Sequence, residues 1–534
     1  MTTEAIGNTR SIVIAGANHN VLTDLSCRIV LQGAVESRRM SHGHRITALD
    51  ASFLHLEKAG ERLHAASVTV FDGPAPTWDE LREHVESRLH LVPRFRQRLA
   101  EVPLDQGRPV WVDDPHFNLR YHLRHAGLPA PGSEEQLRVL AGRLFAEPLD
   151  RTKPLWEIWL VDRLGAGEVD EDSGHPWAGR FALIAKSHHA LVDGISALDI
   201  TTVLFDTDPA APPPPAAQRP WIARPLPTPA QLLSDALLER ATQPQELVRT
   251  ARAALRLPRR LLQGARERLD AAGMTSSGPV APPTPLNVAV GPHRRYTWVD
   301  AELAELRKIK DSLGGTVNDA VLAVVAGALG RYLRHRGSDT RDLVLRALVP
   351  ISVRAADGDG RVDGTDIAPL VAPLPVGIED PVAQFRTIRD AVAELEGELH
   401  AIGARALTEL DGFASPTLMS QAARLQQSQR AFNLVVTNVP GPQVALYLLG
   451  RRLRALYPVV PITRRQALGI AVMSYDGRLG FGLLADYDAL ADVDVLANDL
   501  RAAIAALAAG ASIPQRAARG RSRHAGRPSP ARTV

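Results

Sequence analysis

Ser187-His188-His189-Ala190-Leu191-Val192-Asp193-Gly194 carries the pattern HHxxxDG from its second residue onward. The chain has 17 histidines in 534 residues, so two adjacent ones followed by a carboxylate and a glycine at fixed spacing are an improbable accident. Upstream, Phe181-Ala182-Leu183-Ile184-Ala185-Lys186 is a short apolar run with strand character that stops at Ser187. Downstream, Ser196 to Leu204 has helical composition. This order predicts histidines at a strand end, on a rigid edge that aims an imidazole into a cleft.

A neutral imidazole there can take a proton from a hydroxyl as that hydroxyl attacks a carbonyl. One ring nitrogen must be free and the other fixed by a hydrogen bond, which a strand end can supply through its backbone. Asp193 either pairs with an arginine to hold the loop or contacts a histidine, and Gly194 permits a sharp turn. Two other readings compete: a pair of space-filling loop histidines, and a metal site. Adjacent side chains diverge on a strand, and the chain has neither HExxH nor a cysteine cluster, so the expectation is no metal.

Composition sets the frame. The length implies more than one domain. A hydrophobic share of 45% and a charged share of 23% allow a large core. The net charge of +3 says little about partners. Aromatic residues at 5% and the lack of a binding motif argue against nucleic acid. Cys27 is the single cysteine, which excludes an intramolecular disulfide and fits a reducing compartment. The longest apolar stretch, Ala320 to Leu329, is too short to span a bilayer and reads as a buried helix. The first residues lack a convincing signal peptide, and Met40 is the expected biological start.

Along the chain, 1–44 is an N-terminal extension and 45–205 alternates strands and helices. Strands are expected at 65–71, 155–161 and 181–186, and helices at 78–89, with Thr77 as N-cap, and 134–145. Residues 206–293 combine a proline-rich linker, with Pro212 to Pro215 at its heart, and a basic helical connector. A second domain spans 294–512. Helices are expected there at 299–313, 316–335 and 492–509, and strands at 343–353, 367–376, 431–437, 468–475 and 479–486. Asp476-Gly477 joins the last two strands as a hairpin. The Arg-rich tail, 513–534, is expected to be disordered.

The HHxxxDG stretch resembles the signature of the CoA-dependent acyltransferase superfamily. Further segments are similar to one branch, the bacterial wax ester synthase/diacylglycerol acyltransferase family. They are Leu49-Asp50-Ala51-Ser52-Phe53, Pro154-Leu155-Trp156-Glu157, Thr316-Val317-Asn318-Asp319, Val349 to Arg354, Asn438-Val439-Pro440-Gly441-Pro442 and Ser474 to Gly477. Together these blocks cover roughly 45–510.

The resemblance implies an α/β (α+β) two-domain sandwich, a pseudo-dimer of chloramphenicol acetyltransferase-like folds with a central tunnel. Acyl-CoA, a substrate and not a cofactor, would enter one side, and diacylglycerol or a long-chain alcohol the other. His189 would be the general base. Asp193 would be structural, with Arg354 one candidate partner, and His188 has no assigned role. Pro154, Leu155, Trp156, Asn318, Asp319 and Asn438 would support the site. Read without the family, Trp156 is a buried strand residue, Asn318 and Asp319 are helix caps, and Asn438 is a turn residue.

One departure stands out. Where the family commonly has Gly-Asn, this chain has Asp363-Gly364-Thr365-Asp366, which removes any contact an amide there would make. The arginines at 249–268 are either a solvated helix face or an attraction to anionic lipid head groups. The expected activity is acyl-CoA-dependent esterification of diacylglycerol or long-chain alcohols. The expected location is cytoplasmic, peripheral to the inner face of the plasma membrane or to lipid droplets. Two alternatives stay open: an HHxxxDG enzyme with a polyketide-ester or condensation-type acceptor, and a non-catalytic lipid-binding homologue.

Overall fold

Short polar caps and alternating apolar runs set the elements of the first half. The computed structural model describes residues 44–47, 50–51, 53–54, 57, 62–165, 179–191, 203–215, 219–242, 280–353, 366–410 and 431–512. Asp193, Gly194, Arg354, residues 363–365, the arginines at 249–268, the start at Met40 and the tail lie outside these residues.

Strand β1 is His64–Phe71, followed by helix α1, Trp78–Arg88. Thr77 caps α1 in a reciprocal box with Glu80, satisfying backbone donors the first turn leaves open. Ser133 and Gln136 do the same for α2, Glu134–Ala146. Strands β2 (Leu123–Gly127), β3 (Trp156–Leu164) and β4 (Arg180–His188) complete the half. β4 runs beyond the apolar stretch that announces it, so His188 is its last residue and His189 opens a single 3-10 turn, His189–Leu191.

Helix α3 (Pro229–Thr242) follows, and in the second half β5 (Arg294–Glu302) precedes α4 (Leu303–Leu313). The helix expected from 299 therefore begins four residues later. Nine residues of β5 pair with the strand β12 (Arg478–Asp486), and the Tyr296-Thr297-Trp298-Val299 run suits that pleat better than a helix. Then come α5 (Val317–His335), β6 (Val344–Val353), β7 (Asp366–Pro375), α6 (Pro381–Leu410) and β8 (Leu434–Val439). Strands β9 (Tyr447–Leu448), β10 (Arg451–Val459) and β11 (Leu468–Tyr475), then β12 and helix α7 (Val493–Ser512), finish the fold. β11 and β12 are joined by Asp476 and Gly477 at φ 45° and 81°, the two left-handed positions of a type I′ turn.

Among the described residues these strands form two six-stranded sheets, ordered β9-β10-β1-β4-β3-β2 and β7-β6-β8-β11-β12-β5, beside a small three-stranded sheet. β9 and β10 come from the 294–512 segment yet complete the sheet that holds the histidines, with β10 antiparallel to β1. Gly480 and Gly482 make this exchange possible. A Cβ at either would lie 2.1 Å from the Leu456 carbonyl or 1.9 Å from that of Pro458, so β12 passes against the backbone of β10.

A core of Val68, Val70, Leu137, Phe145, Trp298 and Tyr457 lies between the halves. α5 is wrapped by its own core, with Val321, Leu322, Val325 and Leu329 fully buried. α7 is long and apolar enough to span a bilayer, but Leu496, Leu500, Ala503 and Leu507 form a stripe buried in that same core, against α5.

Candidate active site

The histidine pair is held from three directions. The His188 N–H donates to Leu155 O at 3.0 Å, and the His189 N–H donates to Leu63 O at 3.0 Å. The end of β4 is thereby tied to the segments that lead into β3 and β1. Beyond it, the Ala190 N–H donates to His188 Nδ1 at 3.0 Å, which closes the turn that presents His189. Phe53 lies against the His189 ring, 5.5 Å between centroids.

His189 is half-buried, yet the surrounding protein strips its ring of solvent. Burial pushes its pKa down to about 4, with the neighbouring His188 adding to the shift. The ring is therefore neutral near pH 7, with a nitrogen lone pair available to accept a proton.

Under the turn lies a cluster that sequence patterning does not reveal. His64 on β1 stands opposite His188 on β4, with the rings edge to face at 5.9 Å. Glu57 reaches both: its Oε1 is 3.4 Å from His64 Nε2 and its Oε2 is 3.5 Å from His188 Nε2. Arg151 donates to Glu57 Oε2 at 2.8 Å and to Leu54 O at 2.9 Å. Burial alone would raise the Glu57 pKa, but His188, His64 and Arg151 outweigh it and hold the carboxyl well below the usual carboxylate range. His64 is pushed down to about 4, by burial first and also by Lys186 and His188, against the pull of Glu57. The only sequence signal for the cluster is that Glu57 follows the Leu49 to Phe53 block. His64 becomes visible only once strand register is known.

Pro154, Leu155 and Trp156 are brought to the motif: all three are buried, Trp156 pairs in register with Ser187, and Leu155 O holds His188. Trp156 donates its indole N–H to Phe95 O at 2.8 Å and stacks on His122 at 4.6 Å. Its contacts are those of a core residue that fixes the strand. Lys186, at the end of the apolar run, is buried and donates to Leu144 O and Glu147 O at the C-terminus of α2, with Glu157 at 3.6 Å.

Asp319 is the third residue of α5 and closes a capping box with Thr316, accepting from its N–H at 2.7 Å and its hydroxyl at 2.8 Å. Asn318 and Asn438 meet from α5 and β8, the Asn438 amide donating to Asn318 Oδ1 at 3.5 Å. Among the described residues, no hydrogen bond or ring contact links this pair to the histidines.

Two mixed sheets with an exchanged strand and a His-His turn at a strand end define a class, the acyltransferases built from two chloramphenicol acetyltransferase-like halves. The chain is similar to the solved wax ester synthase/diacylglycerol acyltransferase from Marinobacter aquaeolei VT8, at 26% identity and TM-score 0.60, over 88% of this chain and 100% of that one. The first condensation domain of the CDA synthetase shares the fold at 16% identity and TM-score 0.50, over 89% of this chain and 96% of that one. In sequence, this chain is similar to the Mycobacterium tuberculosis protein named "Probable diacyglycerol O-acyltransferase tgs1". Identity is 32% over 472 residues, 87% of this chain and 96% of that one. The family model for the wax ester synthase/diacylglycerol acyltransferase catalytic domain matches residues 46–321, and that for the WS/DGAT C-terminal domain matches 364–508. The chain belongs to the wax ester synthase/diacylglycerol acyltransferase family, and its chemistry is acyl transfer.

Proposed function

We propose that this chain esterifies diacylglycerol, long-chain alcohols or both with acyl-CoA, and that His189 is the general base. The observation that carries this reading is His189: its ring neutral and largely desolvated, and its backbone fixed at the end of β4 by its N–H to Leu63 O and by the Ala190 N–H to the His188 ring. The neutral imidazole removes the hydroxyl proton as the alcohol oxygen forms its bond to the thioester carbonyl carbon. The tetrahedral oxyanion collapses, the carbon–sulfur bond breaks, and the CoA thiolate takes the proton from His189. Direct attack needs no acyl-enzyme, in keeping with a chain whose single cysteine, Cys27, lies far from the motif in sequence. A base with a low pKa accepts a proton weakly, but the forming oxyanion raises its proton affinity as the transition state develops. This reading includes the tunnel between the halves that the family resemblance implies, with acyl-CoA and acceptor approaching from opposite ends.

The lipid character of the acceptor and the arginines at 249–268 support peripheral attachment to a membrane or lipid-droplet surface, on the cytoplasmic side where acyl-CoA is available. The test is product formation by purified protein from palmitoyl-CoA with diacylglycerol or hexadecanol, beside His189→Ala. Ester from at least one acceptor and its loss in the variant are expected. Wild-type turnover in the variant would remove the base assignment, and inertness toward both acceptors would remove the lipid reading. In vesicle flotation, replacing the 249–268 arginines with Gln should reduce binding to anionic vesicles; unchanged binding counts against the attachment.

A further inference from the structure

We propose that Glu57 is a positioning residue. Its buried carboxylate, held by Arg151 and flanked by His64, selects the Nε2–H tautomer of His188, so that Nδ1 stays free to hold the Ala190 amide and with it the turn that carries His189. The proposal rests on His189 being the base, and it gives His188 a role.

Ala190 fixes which ring nitrogen of His188 carries the proton. Its N–H donates to His188 Nδ1 at 3.0 Å, so Nδ1 must present a lone pair. The one proton of a neutral His188 is then on Nε2, which faces Glu57 Oε2 at 3.5 Å. The other tautomer, or the imidazolium, would set an N–H against the Ala190 N–H and open the turn. An ionised carboxylate has no proton to donate and can only accept, and His188, His64 and Arg151 together keep Glu57 ionised in a place only 10% exposed. His64 is the second group facing the carboxylate, and Lys186 faces His64. His64 is neutral near pH 7, so it takes no proton from Glu57 and leaves the charge to His188 and Arg151.

The separations matter. At 3.4 and 3.5 Å both imidazole contacts exceed a good hydrogen bond, and Glu57 Oε1, His64 Nε2 and His188 Nε2 are buried without a bonded partner. Buried polar atoms left this way are costly, and sites that shape chemistry are where such costs persist. The segment that supplies Glu57 also supplies Phe53 on the His189 ring, so one stretch of chain touches both histidines.

The experiment reads the tautomer and the kinetics separately in the full-length chain. Nitrogen-15 histidine labelling resolves the ring tautomers, with His188 assigned by its signals vanishing in His188→Gln. In the wild type near neutral pH, His188 is expected as Nε2–H; the Nδ1–H form or the imidazolium overturns the proposal, whatever any variant does. In Glu57→Gln the tautomer is expected to become mixed. There kcat should fall by about 10- to 100-fold at unchanged KM for acyl-CoA, less than on removing the base itself. An unshifted tautomer in folded Glu57→Gln overturns the proposal even if kcat falls, because a merely structural role would do that too. If the wild type forms no ester, the esterification reading fails while the tautomer measurement still decides the case of Glu57.

Discussion

An exposed histidine is half protonated near pH 6.5, whereas His189 gives up its proton at about 4. The difference has a kinetic consequence. If His189 is the base, kcat/KM should show no acid limb between about pH 5.5 and 7.5, because the required neutral form is already complete there. A limb near 6.5 in a pH–rate profile would contradict the assignment. The same burial has a stability consequence of opposite convenience. His64, His122 and His189 each titrate at about 4 when folded, against 6.5 for a free ring. The unfolded chain therefore binds protons first as pH falls. The stability these rings hold in full above about 6.5 declines steadily toward 4, with the unfolded state the favoured proton acceptor. Thermal melts should show Tm constant from about pH 8 to 7 and falling from 6.5 to 5; a Tm that rises over that interval would refute it. At this scale the sequence made His188 and His189 legible because adjacency and spacing are local. Glu57, His64 and Arg151 were not legible, because what joins them is the register of β1 on β4 and a turn 94 residues away from Arg151 in the chain.

Capping decides how the helices start, and at α5 it bears on a family motif. Thr316 and Asp319 satisfy each other's backbone N–H groups at the mouth of a helix that is buried nearly all round. Asp319→Ala leaves the Thr316 N–H without its acceptor and should cost about 1 kcal/mol, read as a lowered Tm, with kcat retained in the folded fraction. A loss of kcat without loss of stability would instead put Asp319 in the chemistry. The elements that could be read from the sequence are those with local signatures: the Thr77 cap, the Asp476-Gly477 turn and the apolar face of α5. Those that could not lack such marks. β10 reads Arg451-Arg452-Leu453-Arg454 at its start, charged because Arg452 and Arg454 pair with Asp476 and Asp72 across the sheet surface. The 299–302 stretch reads as helix until β12 claims it.

Two lobes of this size ordinarily unfold as separate units, and the strand exchange removes that freedom. β10 cannot leave the first sheet without exposing the core that Tyr457 shares with Trp298, where the rings stack at 4.7 Å and Tyr457 donates to Asp300 at 2.8 Å. Nor can β12 shift, because its glycines lie on the β10 backbone. The halves are therefore mutually dependent, and the His-His turn inherits its rigidity from strands at both ends of the chain. Differential scanning calorimetry should give one transition whose calorimetric and van't Hoff enthalpies agree; two resolved transitions would show that the exchange does not couple the lobes. Gly482→Val tests the same joint directly. Its Cβ would sit 1.9 Å from the Pro458 carbonyl, so β10 must move away from β12. The variant should lose about 1–3 kcal/mol and lower the whole transition rather than split it. Acyl transfer should fall with it even at temperatures where the protein remains folded, because β10 lies beside β1, whose partner β4 ends at His188.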